Sequence, residues 1–342
     1  MKTYFTLFVV AFQSVVALAQ DNEKLYMTKS LANDAISSVV VTTSAGGIKV
    51  SGKSGEAPRI EVYIQGNNGR ELSKEEIQKR LDEDYDMNIA VNGHELSATV
   101  KTKHRLDNWR DQMSISFKIY VPQQVSTDLR TSGGGIDLDN LKGNETFTTS
   151  GGGLAIDKVT GTIHGRTSGG GIQVENSGDD IDLTTSGGGI EAKNCTGKIR
   201  LVTSGGGLQL LDLKGDIYAH TSGGGVEGNN IEGDLETGSS GGSIDLRNMN
   251  CSLRATTSAG SLFAQMKQVG KYMRLSTSSG DIDLELPAKQ GLDLNLHGES
   301  VSQHQFNGFN GDWDKNHVRG TVNGGGASVD ASANGDINVK FN

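Results

Sequence analysis

Apolar and polar residues alternate along most of this chain with the two-residue period of a β-strand. The alternation comes in short runs, such as 136–138, 172–174 and 282–286, and each run is bounded by Gly, Asn or Asp. One segment differs: the capping box Ser73-Lys74-Glu75-Glu76 precedes apolar residues at helical spacing up to about Tyr85. Strand-like runs then follow at 88–92, 95–103 and 114–121. The pattern predicts many short strands, tight turns and a single helix.

The short strands belong to a repeat of 18 residues. The pentapeptide Thr-Ser-Gly-Gly-Gly begins at Thr131, Thr149, Thr167, Thr185, Thr203 and Thr221. Related pentapeptides begin at Ser239 and Thr257, and the next begins 20 residues later, at Thr277. The longer step predicts a two-residue insertion between Met266 and Arg274. Fixed-period self-similarity of this kind is typical of repeat architectures.

Each unit contains two strands and two turns. The pentapeptide leads into an apolar-polar-apolar strand, an Asn or Asp marks the next turn, and a Gly three residues later precedes the second strand. Asn and Gly tolerate left-handed backbone conformations, which suits tight turns. The fold class predicted is all-β, a single-chain parallel β-solenoid (β-helix) with about 18 residues per coil. The triple Gly is interpreted as a corner where a column of side chains would clash with itself.

The same pattern divides the chain into segments. We expect a signal peptide at 1–19, an N-terminal lead-in at 20–35 and a β-solenoid at 36–342. The solenoid is interrupted by a small α+β insert or cap at 66–112 and has its regular repeats at 131–276. Stacking of neighbouring coils, not the single unit, is expected to bury the apolar side chains.

The N-terminus predicts export. Lys2 precedes an apolar run that ends in Ala17-Leu18-Ala19, the arrangement of a cleavable secretory signal. The run is short and interrupted by polar residues, and no second long apolar run follows it. We therefore expect no membrane span in the mature chain, and a location in the periplasm, at the cell surface or outside the cell.

Composition supports this architecture and excludes some partners. The chain has 48 Gly but only 3 Pro among 342 residues, which excludes collagen. Only 5% of the residues are aromatic, which suits an interior one side chain deep. The formal net charge of −9 argues against a nucleic-acid partner.

No motif predicts catalysis, a cofactor or a metal. The seven His lack metal-ligand spacing, and the triple glycines lead into strands, unlike a phosphate-binding loop. Cys195 and Cys251 lie three units apart, roughly 14 Å along the solenoid from the strand spacing. A disulfide needs Cα atoms within about 7 Å, so we predict two free, buried thiols.

The Thr-Ser-Gly-Gly-Gly-Ile units, the segment 280–287 and the late Gly-rich segment 320–326 resemble a bacterial family. It is the "putative adhesin" family of Gly-rich β-solenoids, a domain of unknown function, and the resemblance covers about 36–342. The resemblance implies an exported protein that is an adhesin. It implies no catalytic or binding residue.

Two functions follow as hypotheses. The first is a non-enzymatic adhesin or cell-envelope interaction module whose surface or envelope partner, protein or glycan, is unknown. The second is a carbohydrate-binding or polysaccharide-degrading β-helix with its site at the irregular loops. Ligand contacts are then predicted at the aromatic residues Trp109, Phe306, Phe309 and Trp313. Packing over a solenoid end is the competing interpretation of these rings, and the oligomeric state stays open.

Overall fold

The computed structural model describes residues 24–53, 55–67, 70–104, 112–303 and 308–342. The predicted signal peptide at 1–19 lies outside these residues. No helix in the described ranges combines the length and the apolar character needed to cross a membrane.

The described residues form one helix, α1 (Lys74–Asp84), and 29 strands. The N-terminal strands are β1 (Leu25–Ser30), β2 (Ser38–Thr43), β3 (Ile48–Ser51), β4 (Arg59–Gly66), β5 (Tyr85–Asn92), β6 (Glu95–Thr102) and β7 (Met113–Tyr120). The repeats supply β8 (Ser126–Thr131), β9 (Ile136–Asp139), β10 (Lys142–Thr149), β11 (Leu154–Asp157), β12 (Thr160–Thr167), β13 (Ile172–Glu175), β14 (Gly178–Thr185), β15 (Ile190–Lys193), β16 (Thr196–Thr203), β17 (Leu208–Leu211), β18 (Lys214–Thr221), β19 (Val226–Asn229), β20 (Glu232–Ser239), β21 (Ile244–Thr257) and β22 (Leu262–Thr277). The C-terminal strands are β23 (Ile282–Leu286), β24 (Leu292–His297), β25 (Val301–Gln303), β26 (Phe309–Trp313), β27 (His317–Val322), β28 (Ala327–Ala333) and β29 (Ile337–Phe341).

These strands stack as a parallel β-solenoid of about nine turns, as predicted. The four-residue strands β9 to β19 of odd number form a narrow sheet, in which Ile136, Leu154 and Ile172 are direct partners 18 residues apart. The eight-residue strands β10 to β20 of even number form a wide sheet with the same 18-residue step. The long strands β21 and β22 contribute to both sheets.

A hydroxyl ladder and a glycine column form one corner of each regular coil. The Thr185 hydroxyl is buried, donates to the Gly170 carbonyl oxygen at 2.7 Å and accepts from the Gly188 amide at 3.4 Å. A Cβ atom at Gly188 would lie 2.3 Å from the Gly170 oxygen, a distance that real Cβ atoms do not show. The predicted steric reason for the triple glycine is confirmed. Sequence analysis assigned no role to the buried hydroxyls.

The opposite turn and the cysteines also match their predictions. Asn176 and Asn194 have φ values of 50° and 52°, in the left-handed region that asparagine tolerates. Cys195 and Cys251 are both buried and free. Cys251 lies in register with Gly233, so it replaces a turn glycine as expected.

The insert after β4 forms a cap at the N-terminal end. β6 and β7 add parallel strands to β2 and β3, and the antiparallel strands β5, β4 and β1 lie outside them. The predicted helix is α1, which begins where the Ser73 hydroxyl accepts a hydrogen bond from the Glu76 amide. Ile77 and Leu81 of α1 are buried.

At the C-terminal end the coils do not follow chain order. β28 lies between β22 and β24 in the wide sheet, and β29 lies between β23 and β25 in the narrow sheet. The antiparallel strands β27 and β26 then cover the outer edge of β24. The last coil in the chain is therefore the penultimate coil in space.

Candidate functional site

The outward side chains of the wide sheet form columns that run along the solenoid. Two columns, two residues apart on each strand, face solvent side by side. In chain register the first column contains Asp182, Arg200, Tyr218, Glu236, Arg254, Arg274, Asp330 and Asn295. The second column contains Thr184, Val202, His220, Gly238, Thr256, Ser276, Ser332 and His297.

A groove of about 380 Å³ lies on this surface near the C-terminal end. β21, β22, β28 and β24 each contribute one residue to it from both columns. Its side chains are Arg254, Thr256, Arg274, Ser276, Asp330, Ser332, Asn295 and His297. Because the groove is built on paired strands and not on loops, its polar groups are held in fixed relative positions.

Arg254 and Arg274 lie directly opposite each other in the groove, on neighbouring strands. The Arg254 Nε is 3.9 Å from the Glu236 Oε2, a loose ion pair at the edge of the groove. The Arg274 guanidinium lies 5.3 Å from the ring centre of Tyr272 and has no carboxylate within 4 Å among the described residues. Its neighbour Asp330 instead accepts a hydrogen bond from Asn295 at 3.1 Å.

The second column supplies small hydrogen-bonding groups beside the arginines. Thr256, Ser276 and Ser332 present hydroxyls on three neighbouring strands, and His297 follows on the fourth. The His297 ring meets His317 edge to face, with 6.3 Å between ring centres. These groups can both donate and accept hydrogen bonds.

An aromatic pair lies on the same two columns, nearer the middle of the solenoid. Tyr218 is 38% exposed, one of two large apolar side chains so exposed in the described residues, and its ring stacks on His220 at 4.3 Å. Burial lowers the pKa of His220, although nearby Glu236 partly opposes this effect. Tyr218 is two strands from Arg254, roughly 10 Å from the strand spacing.

The sequence-predicted site residues do not line this groove. Trp109 and Phe306 lie outside the described residues. Phe309 and Trp313 are on β26, with their rings edge to face at 5.3 Å, and the Trp313 indole donates to the Val301 carbonyl at 3.2 Å. Both are half-buried and pack against the core. Their register partners Val322 and Val318 are buried, so both rings cover the solenoid end on the inner side of the sheet.

Sequence reasoning missed the groove, although one signal was present. Arg254 and Arg274 occupy the same place in successive units once the two-residue insertion is taken into account. The insertion lies at Gly270-Lys271, between register pairs that are 18 and 20 residues apart.

A comparison with known families identifies the chain. Residues 36–340 match the profile of the Toastrack DUF4097 family, which is nearly the whole of the described solenoid. The chain belongs to the Toastrack DUF4097 family. This bears out the sequence resemblance to a family of unknown function with a β-solenoid fold.

Solved structures similar to this Toastrack chain share little sequence with it. A putative adhesin from Parabacteroides merdae ATCC 43184 is 13% identical, covers 93% of this chain and 96% of its own, and has a TM-score of 0.37. A putative adhesin from Bacteroides fragilis NCTC 9343 is 12% identical, with coverages of 93% and 97% and a TM-score of 0.26. A putative cell adhesion protein from Clostridium sporogenes ATCC 15579 is 10% identical, with coverages of 94% and 100% and a TM-score of 0.21. No curated protein matches the chain.

The buried ionisable groups of the Toastrack solenoid lie away from the groove. Glu145 is fully buried in an inward column between Thr127 and Ile163, and its Oε2 accepts from the Thr127 hydroxyl at 2.6 Å. Its Oε1 is buried without a hydrogen-bond partner, and burial raises its pKa to about 7. Burial also raises the pKa of Cys251 to about 12, which makes that thiol a poor nucleophile. In the described ranges no three His, Cys, Asp or Glu side chains come together as a metal site.

Proposed function

We propose that this Toastrack protein is an exported, non-enzymatic adhesin or envelope-binding module that holds its partner on the outer surface of the wide sheet. The observation that carries the proposal is the groove, in which two outward columns present cationic, hydroxyl and amide groups on four neighbouring strands. Such a surface is suited to an extended ligand because equivalent positions recur at each coil. The expected export of the chain and its adhesin resemblance agree with this role.

The groove chemistry supports binding more than hydrolysis. Glycoside hydrolysis generally needs two carboxyl groups flanking the bond that is cleaved. Asp330 is the only carboxylate lining the groove among the residues that the structure describes, and it is hydrogen-bonded to Asn295. The uniform coils from Thr131 to Ser258 also provide no long loops to wall a catalytic cleft.

A carbohydrate partner has one specific observation in its favour. Hydroxyls, a histidine and an amide occur beside arginines, and the exposed Tyr218 ring lies further along the same columns. Polar side chains can hydrogen-bond sugar hydroxyls, and an exposed ring can pack on the apolar face of a sugar. The rings predicted for this role, Phe309 and Trp313, instead pack at the solenoid end, so the groove is the preferred location.

The test compares a blocked groove with a blocked control surface. Ser276→Trp fills the groove, whereas Gln209→Trp adds the same ring to an outward position of the narrow sheet. We expect the full chain and Gln209→Trp to bind intact bacterial cells and immobilised envelope polysaccharides, and Ser276→Trp to lose most of this binding. Equal binding by both variants, or release of reducing sugar ends by the protein, contradicts the proposal. Protease treatment of intact cells tests whether the protein reaches the surface.

A further inference from the structure

We infer that the groove binds an acidic polysaccharide and holds one of its carboxylate groups between Arg254 and Arg274. This inference rests on the proposed binding function, and it specifies the chemical class of the ligand.

The first argument is the arrangement of charges on the wide sheet. Arg200 faces Asp182 at 3.0 Å, and Lys214 faces Glu232 at 3.1 Å, so neighbouring strands place opposite charges side by side. Arg254 and Arg274 break this pattern, because they are like charges directly opposite each other. Such a pair is destabilising in a sheet by a few tenths of a kcal/mol to about 1 kcal/mol. An anion between them removes the repulsion.

The second argument is that the arginines keep donors available for a ligand. Arg274 has no carboxylate partner at ion-pair distance among the described residues, and the contact of Arg254 with Glu236 is long at 3.9 Å. Asp330, the nearest acid to Arg274 by register, has its Oδ1 hydrogen-bonded to Asn295. A guanidinium with open donors binds a carboxylate through two parallel hydrogen bonds.

The third argument favours a polymer over a small anion. Ser276 and Ser332 lie two residues from the arginine column on neighbouring strands, with His297 beyond them. A carboxylate alone would use only the arginines, whereas a sugar chain along the solenoid also reaches the hydroxyls and the imidazole. The whole chain carries a net charge of −9, so its overall charge repels a polyanion. Binding must therefore come from the local groove.

The experiment uses the full chain and two forms of one polymer. Binding of polygalacturonate and of its fully methyl-esterified form is measured by isothermal titration calorimetry at low and moderate salt. We expect binding of polygalacturonate that weakens with salt, and at least about tenfold weaker binding of the ester. Arg254→Gln and Arg274→Gln should each weaken polygalacturonate binding by about tenfold or more, because each removes a charge-assisted hydrogen bond. Asp330→Asn should strengthen it by removing a competing carboxylate.

Arg247→Gln is the matched control, because it removes the same charge from the narrow sheet, where Arg247 pairs with Asp245 at 2.8 Å. It should leave the affinity unchanged. Circular dichroism melting curves check that every variant is folded.

Several outcomes overturn the inference without touching the proposed function. They are equal binding of acid and ester, unchanged affinity of both groove arginine variants, equal or tighter binding of dextran sulfate, and equal binding of free galacturonate. If Ser276→Trp still abolishes binding to cells in these cases, the binding function stands and the carboxylate assignment is wrong. If neither cells nor polymers are bound by the full chain, both proposals fail.

Discussion

Glu145 makes the stability of this solenoid depend on pH in a direction that can be calculated. Its side chain occupies an inward position where the following coil has Ile163, and its pKa is raised by burial from 4.5 to about 7. Below pH 4.5 the carboxyl is protonated in both the folded and the unfolded chain, so it causes no pH-dependent loss. As the pH rises above 4.5, the unfolded chain releases this proton first, and the free energy of unfolding falls until the folded carboxyl also ionises near pH 7.

The size of this loss follows from the two pKa values. At about 1.4 kcal/mol per pKa unit, the difference between 4.5 and about 7 corresponds to a loss of about 3 kcal/mol at pH 8 or above. Glu145→Gln removes the ionisable group, keeps the side-chain volume and can still accept a hydrogen bond from Thr127. The variant should therefore gain about 3 kcal/mol on the wild-type chain between pH 4 and pH 8.

Urea unfolding followed by far-UV circular dichroism at a series of pH values measures this difference. Glu227→Gln, at an exposed position of the narrow sheet, is the control and should follow the wild-type chain at every pH. Glu145→Ile, which continues the aliphatic column, should also lose the pH dependence. If the curves of the wild type and Glu145→Gln stay parallel from pH 4 to pH 8, the proposed cost of ionising Glu145 is refuted.

Three further predictions concern the repeat itself. Thr185→Val leaves the Gly170 carbonyl without its side-chain donor and should lower the free energy of unfolding by about 1–3 kcal/mol, whereas Thr185→Ser should cost less than half as much in the same urea assay. Gly188→Ala should destabilise by about 3 kcal/mol or prevent folding, and Gly47→Ala should be tolerated because its Cβ would meet only an ordinary 3.6 Å contact; melting temperatures compare the two. Deletion of residues 167–184 should give a shorter folded protein with an unchanged circular dichroism spectrum per residue, and deletion of only their first half should not fold. Equal damage from the two deletions would contradict the 18-residue register.

The sequence predicted the regular coils well because a fixed period assigns every residue to a column. The burial of Cys251 at a turn-glycine position and the steric need for Gly188 both follow from counting in steps of 18. The groove could not be found in this way. Arg274 comes 20 residues after Arg254, and Asp330 reaches the groove only because β28 enters the sheet out of chain order. Long-range strand order of this kind leaves no local pattern in the sequence.

The position of β28 and β29 links complete synthesis to binding. Residues 327–341 leave the ribosome last, yet they occupy a slot between β22 and β23 on one side and β24 and β25 on the other. Until they enter that slot, the four neighbouring strands have unpaired edges, which are templates for association with other chains. Asp330 and Ser332 are also missing from the groove until then. A nascent or shortened chain is therefore prone to aggregation and lacks a complete groove, and only the full-length product is both capped and competent to bind.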